Sequence, residues 1–188
     1  MFIQEKEKEK IKDILTSYDV VKEINEHMDF LLSIIPEIKP MIGFEHKHPH
    51  HHLDVWEHTL EVIKNLNTRD FELNMAGLLH DIGKPFSYQD EEVRHFHGHP
   101  EISAQMSEKI LDRLGFNKEF KNNVIYLVST HDTVIEPNNL DNKLEMVQKR
   151  LQLQYADAKA HKPDKVGKRI ALLDEINEEL EKLEELEK

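Results

Sequence analysis

The stretch Met75–Pro85, MAGLLHDIGKP, constrains this chain more than any other. Met75, Leu78, Leu79 and Ile82 recur at the i, i+3, i+4, i+7 spacing of a buried helix face. Gly83 and Pro85 stand where such a helix stops. An imidazole and a carboxylate, His80 and Asp81, therefore meet at the end of a core helix, beside a turn. Both are ligands for a first-row divalent ion, and a carboxylate has two oxygens with which to bridge a pair of ions. On its own such a pair is more readily a satisfied core histidine beside a turn-capping aspartate, so the rest of the chain decides.

The same helical period runs through most of the sequence. A short amphipathic helix is expected over residues 2–16, with Ile3, Ile11, Ile14 and Leu15 on one side and a Glu-Lys alternation on the other. A second is expected from about Val20 to Ile35, ending before Pro36. Residues 36–53 hold Pro36, Pro40 and Gly43 and then His46, His48, His50, His51 and His52, which reads as a loop. Asp54 is placed to cap a helix reaching Leu66, with His58 near its first turns. The helix bearing His80-Asp81 follows, then a polar loop over 84–98.

Further helices are expected at about Pro100–Leu114, 117–131, Leu140–Ala160 and 165–187. In the last, Leu173, Ile176, Leu180 and Leu183 step by 3, 4 and 3, a narrow seam too short for a coiled coil. Docking on the domain is its simpler use and a homodimer seam the other. No glycine-rich phosphate loop and no hairpin pattern is present, so the expected fold is all-α. A single domain is expected over residues 1–188, its core about 20–162, with a long acidic C-terminal helix over 165–188.

Composition narrows the chemistry. The 188 residues include no cysteine, which rules out disulfides and thiolate metal sites. No apolar run approaches the ~20 residues of a membrane span, and MFIQEKEKEK lacks the apolar core of a signal peptide. The expected location is the cytoplasm. The net charge of −12 argues against holding a long nucleic-acid duplex through many phosphates. Half of that charge lies on residues 171–188, with eight acidic and two basic side chains. The remainder is mildly acidic, and a bound divalent ion would offset it locally. A small phosphoester or a nucleic-acid end remains compatible.

Thirteen histidines are the compositional outlier, ten of them between His46 and His99. His58, His80, Asp81, His99, His131 and Asp157 each lie at a helix end or within an apolar helical run. Asp157 sits in LQLQYADAKAH, where an unpaired carboxylate costs several kcal/mol unless it binds a partner or a metal. The alternative is an aspartate on the solvated side of that helix. Imidazoles with carboxylates suit Mn, Fe, Co, Ni or Zn, admit Mg and do not favour Ca.

His58, His80-Asp81 and Asp157 match the H…HD…D signature of the HD-domain metal-dependent phosphohydrolase superfamily, which this chain resembles over roughly residues 45–161. LLHDIGKP is the most specific of the matching strings. DVWEHTL at 54–60, FHGHPEISA at 96–104, LVSTH at 127–131 and QYADAKAH at 154–161 also look like the family. The flavour is similar to the HD module of bacterial CCA-adding tRNA nucleotidyltransferases. The resemblance implies an all-helical fold with a buried metal held by His58, His80, Asp81 and Asp157. His99 and His131 match the positions that supply a second ion in two-metal members, and Asp81 would then bridge the pair.

The activity so implied is hydrolysis of a phosphomonoester or phosphodiester, on a nucleotide, a cyclic phosphate or an RNA end, by metal-activated water. Asp81, Lys84 and His95 are the expected catalytic residues. Lys84, one turn beyond the dyad, either neutralises a substrate phosphate or complements the negative end of a helix. His95 either donates a proton to the leaving alkoxide or is exposed, and His97 is expected to be exposed. The histidines of the 46–52 loop either cover the mouth of the site or bind metal adventitiously from a mobile loop, the reading favoured for His46 and His48. Trp56 and Tyr126 are expected in the core, and Arg94 either contacts phosphate or, as is usual for a lone surface arginine, stands in solvent. Two other functions use the same ligands: a di-iron oxygenase, and a non-catalytic module in which the metal is structural and the acidic helix recruits a partner.

Overall fold

The structure, a computed structural model, describes residues 2–47, 50 and 52–186, with side chains from residue 5 onward. The side chain of Ile3 and the loop residues His48 and His51 lie outside that description. The described residues are mostly helical: α1 (Phe2–Leu15), α2 (Val20–Glu26), α3 (Met28–Ile34), α4 (Val55–Leu66), α5 (Phe71–Leu79), α6 (His99–Arg113), α7 (Lys118–Thr130), α8 (Leu144–Lys159) and α9 (Gly167–Leu186). None of these helices is long and apolar enough to cross a membrane.

Local chemistry sets the boundaries. Asp54 caps α4 through a reciprocal pair, its Oδ1 accepting from the Glu57 amide at 2.7 Å while Glu57 Oε2 accepts from the Asp54 amide at 3.1 Å. Asn67 ends the helix in the left-handed region at φ 44°. Asp70 and Asn117 cap α5 and α7 in the same way, each accepting an amide at 2.9 Å. α5 is the central element: residues 73–79 are all buried, and it packs between α4 and α7 with α8 beside it.

Two apolar clusters fill the interior. The larger joins α1–α7 and part of α8 through Ile24, Leu31, Ile35, Val62, Met75, Leu78, Leu79 and Leu127 among others. The smaller lies between α8 and α9, where Leu173, Ile176 and Leu180 meet Leu144, Val147, Leu151 and Ala158. The seam of the last helix is thus covered by its own chain.

Four expectations need correction. The single helix over 20–35 is two, broken at His27, whose amide still bonds to Glu23 but whose ψ of 24° turns the chain before α3. The stretch 36–53 is not loop throughout, because Pro36–Met41 wind into a 3-10 turn that buries Ile38 and Met41. The loop over 84–98 contains a 3-10 turn (Lys84–Phe86) and a hairpin of β1 (Gln89–Asp90) and β2 (Arg94–His95). Its register pairs Gln89 with His95 and Asp90 with Arg94. α8 also begins later than expected, at Leu144, leaving Leu140–Lys143 outside the helix.

Candidate metal centre

Five helices deliver the six singled-out side chains to one point. His58 projects from α4, His80 and Asp81 stand just beyond the last residue of α5, and His99 opens α6. His131 directly follows α7, and Asp157 lies near the end of α8. All six are buried, His58 and His80 completely. The turn is held in place by Gly83, whose amide donates to Ser103 Oγ at 2.9 Å. A Cβ at that position would lie 2.7 Å from the Ser103 backbone nitrogen, so only glycine lets the turn approach α6.

The Asp81 carboxylate divides the site. Its Oδ2 is 3.2 Å from His80 Nε2 and 3.6 Å from His58 Nε2, and His58 Nε2 is 3.0 Å from Asp157 Oδ1. Its Oδ1 is 3.3 Å from His99 Nε2 and 3.7 Å from His131 Nε2. Two groups able to hold a metal ion result: His58, His80 and Asp157, and Asp81, His99 and His131, with the ligand atoms of each within 4.8 Å of one another.

The donor set fits metal ions. Nδ1 of His80, His99 and His131 donates to the carbonyls of Gly77, Phe96 and Val128 at 2.8, 2.9 and 2.6 Å. A proton held there leaves the Nε2 lone pair facing inward, the form that ligates metal. The Nε2 atoms of His99 and His131 then point lone pairs at each other across 3.2 Å. That arrangement is repulsive unless a proton or a cation lies between them. Nε2 of His80 and Oδ1 of Asp81 have no hydrogen bond of normal geometry although they are buried, while Oδ2 of Asp81 has the Lys84 ammonium at 2.7 Å. Orphaned buried polar atoms of this kind are costly without a partner.

Burial pushes His58 down against the opposing pull of Asp157, and pushes His131 down to about 3 with His80 adding to the effect. Burial opposes ionisation of Asp81 and Asp157, yet both are held well below the usual carboxylate range. His80 and Lys84 do this for Asp81, and His58 and Arg169 for Asp157. His80 is the exception among the imidazoles, since the adjacent Asp81 raises it against burial.

Around the six lies a second set. Lys84 is buried, with Nζ 2.7 Å from Asp81 Oδ2 and 3.2 Å from His46 Nε2. His46 is therefore not part of a mobile loop, as the sequence suggested. It is 1% exposed, its Nδ1 donates to the Leu53 carbonyl at 3.0 Å, and burial, with Lys84 adding, pushes it down to about 2. Arg94 is likewise not solvated: it is buried, grips Asp90 and the Glu45 carbonyl, and lies over the rings of Phe44 and Tyr88. His50 and His52 are exposed, as is His97, while Trp56 is buried and Tyr126 packs half-buried against the core.

A concavity of about 230 Å³ opens onto the site, lined by Asp81, Lys84, His95, His99, His131 and Arg169 among others. His95 stands half-buried at this mouth, its ring stacked on that of His97 with centroids 5.4 Å apart. Sequence reasoning missed Arg169, which reaches Asp157 Oδ2 at 3.2 Å and Asp132 Oδ1 at 3.5 Å. No signal marked it, because it stands in the first turn of α9, ahead of the apolar stripe that orients that helix. His161, four residues after Asp157 and just past the end of α8, was findable by spacing; its Nδ1 donates to the Asp157 carbonyl at 2.8 Å.

A sequence model of the HD domain matches residues 50–177. This chain belongs to the HD-domain family. Among curated proteins it is 30% identical over 171 residues to the A-adding tRNA nucleotidyltransferase of Deinococcus radiodurans, covering 83% of this chain and 39% of that one. It is 35% identical over 113 residues to the CC-adding tRNA nucleotidyltransferase of Thermus thermophilus, covering 56% and 26%. The Multifunctional CCA protein of Nitrosomonas europaea is 28% identical over 107 residues, covering 55% and 26%. The HD-family chain thus spans between about a quarter and two fifths of these relatives.

Proposed function

We propose that this HD-domain chain is a metal-dependent phosphohydrolase acting on a nucleotide, a cyclic phosphate or an RNA end. The observation that carries the reading is the Asp81 carboxylate, each of whose oxygens faces a separate buried set of histidines. His58, His80 and Asp157 would hold one divalent ion and His99 and His131 a second, with Asp81 shared. Ions held there lower the pKa of a coordinated water toward ~7 and offset charge on phosphoryl oxygens.

The protein's own groups supply the rest. In the reaction a water oxygen attacks phosphorus, the ester P–O bond breaks and the departing alkoxide takes up a proton. His95, at the mouth of the concavity, is placed to hand over that proton, a role imidazole fills often. Lys84, pinned between Asp81 and His46, keeps Asp81 ionised and offsets negative charge on the substrate. Lys84, Arg94 and Arg169 on the lining balance Asp81, Asp132 and Asp157 there, so bound divalent ions would make the site cationic toward a phosphoester. The relatives carry tRNA in their names, which supports an RNA end among the substrates.

The test is metal content and phosphoester turnover of protein purified without nickel, beside Asp81→Ala. The expected result is two equivalents of a transition metal and turnover of at least one phosphoester, both lost in the variant. Turnover undiminished by Asp81→Ala would overturn the proposal.

A further inference from the structure

The chain carries a net charge of −12, yet residues 159–169 hold Lys159, Lys162, Lys165, Lys168 and Arg169 against Asp164 alone. This segment runs from the last residue of α8 through the connecting turn into the first turn of α9, and it ends beside the metal centre. It builds a second concavity of about 300 Å³, lined by His50, His161, Lys165, Val166, Lys168 and Arg169. No acidic side chain belongs to that lining. Asp164 lies outside it, 3.4 Å from Lys165, and both partners of that pair are exposed. Lys168 is exposed and makes no ion pair with any described residue.

The two concavities adjoin. His161 and Arg169 line both, so they form a shared wall between the six-residue centre and the basic turn. The wall is fixed rather than loose. Arg169 is anchored to Asp157 and Asp132, and His161 to the Asp157 carbonyl. The Lys162 amide donates to the His50 carbonyl at 3.0 Å, which ties the turn to the opposite rim. A substrate phosphate seated at the centre therefore has a cationic recess immediately beyond Arg169.

We propose that this recess is a subsite for a second phosphate covalently linked to the one hydrolysed, so that the preferred substrate is the end of a single strand of nucleic acid rather than a mononucleotide. The inference rests on the phosphohydrolase reading for its first phosphate, but the recess itself does not depend on it. The chemistry recognised is a pair of linked phosphates. A strand supplies them through its penultimate phosphodiester, and a small polyphosphate supplies them through an anhydride. The strand is favoured because the recess, of about 300 Å³, has room for a sugar beside a backbone phosphate and presents the exposed side chains of Lys165 and Lys168 to it. The acidic α9 beyond it, and the absence of any long cationic surface, limit the contact to a few nucleotides.

The experiment uses the full chain and the double variant K165A/K168A, whose side chains are exposed and touch none of the six metal-centre residues. Turnover is measured on a nucleoside 2′,3′-cyclic phosphate or 3′-phosphate and on two- to four-nucleotide RNAs with the same terminus. In the wild type the short RNAs are expected to exceed the mononucleotide in kcat/KM by about tenfold, an advantage that falls with salt at about 0.7 log units per phosphate contact. In K165A/K168A that advantage disappears while mononucleotide turnover stays within twofold.

Equal preference in the wild type, or an unchanged preference in the variant, overturns the subsite. Adenosine tetraphosphate as a competitor separates the two sources. Inhibition of RNA turnover as strong as that by a short RNA overturns the strand in favour of a small polyphosphate. Binding of a fluorescent four-nucleotide RNA to chelator-treated protein gives a readout without turnover. Binding weakened about tenfold by K165A/K168A, in protein that hydrolyses nothing, upholds the subsite while the hydrolase reading fails.

Discussion

Asp81 owes its position to Gly83. Two residues after the carboxylate, the chain passes so close to α6 that a methyl group would sit 2.7 Å from the Ser103 nitrogen and 2.9 Å from its Oγ. Gly83→Ala must therefore push the turn outward, and overpacking of this kind costs about 1–3 kcal/mol. Urea unfolding of G83A should show a loss in that range together with weaker metal retention, since Asp81 moves with the turn. A variant as stable as the wild type would mean that the turn yields freely. A second residue-scale outcome separates the two metal groups. His131→Ala removes a donor from the His99 side alone, so metal analysis should find about one equivalent lost and one kept. Loss of both would mean that the ions are bound as a unit. The six candidate ligands were legible in the sequence because each is a polar residue in an apolar helical run or at a helix end. His46 and Arg94 were not, because each is buried with the help of a partner far along the chain, Lys84 for His46 and the Glu45 carbonyl for Arg94, that helical periodicity does not place.

At the scale of the element, α9 links stability to the site. Its apolar stripe packs on α8 while its first turn carries Arg169 to Asp157. Ile176, 5% exposed, lies in the middle of that stripe. Ile176→Ala should destabilise the protein by about 3 kcal/mol, read from the urea midpoint. Arg169→Ala should leave that midpoint nearly unchanged and lower metal affinity, because it removes a cation that holds Asp157 ionised. A midpoint indifferent to Ile176 would mean that α9 docks weakly and that Arg169 is not held in place. The periodicity of α9 pointed to a buried seam but not to what buries it. A stripe of leucines reads the same against α8 as against a second copy, and only the fold resolves it. The break at His27 was hidden for a similar reason. Apolar positions continue in step from α2 into α3, so the pattern shows a helix where the backbone makes a turn.

At the scale of the whole molecule, the centre joins five helices. His58 of α4, the dyad after α5, His99 of α6, His131 after α7 and Asp157 of α8 span a hundred residues of sequence and meet within one buried volume. Without a metal ion, that volume holds two facing imidazole lone pairs 3.2 Å apart and, on Asp81, an Oδ1 that lacks a normal hydrogen bond. Those atoms tax the folded state, whereas in an unfolded chain they would be solvated. An ion bound only by the folded protein shifts the balance back by RT ln(1 + [L]/Kd), about 2.7 kcal/mol at a hundredfold excess over Kd. For a protein of this size, 1 kcal/mol corresponds to roughly 2–4 °C in Tm. Chelator-treated protein should therefore melt about 5–10 °C below the metal-loaded form, and adding back the native metal should restore the loss. Asp81→Ala should melt at one temperature with or without chelator, because its shared ligand is gone. An identical Tm for the loaded and chelated wild type would mean that the six side chains balance one another without an ion.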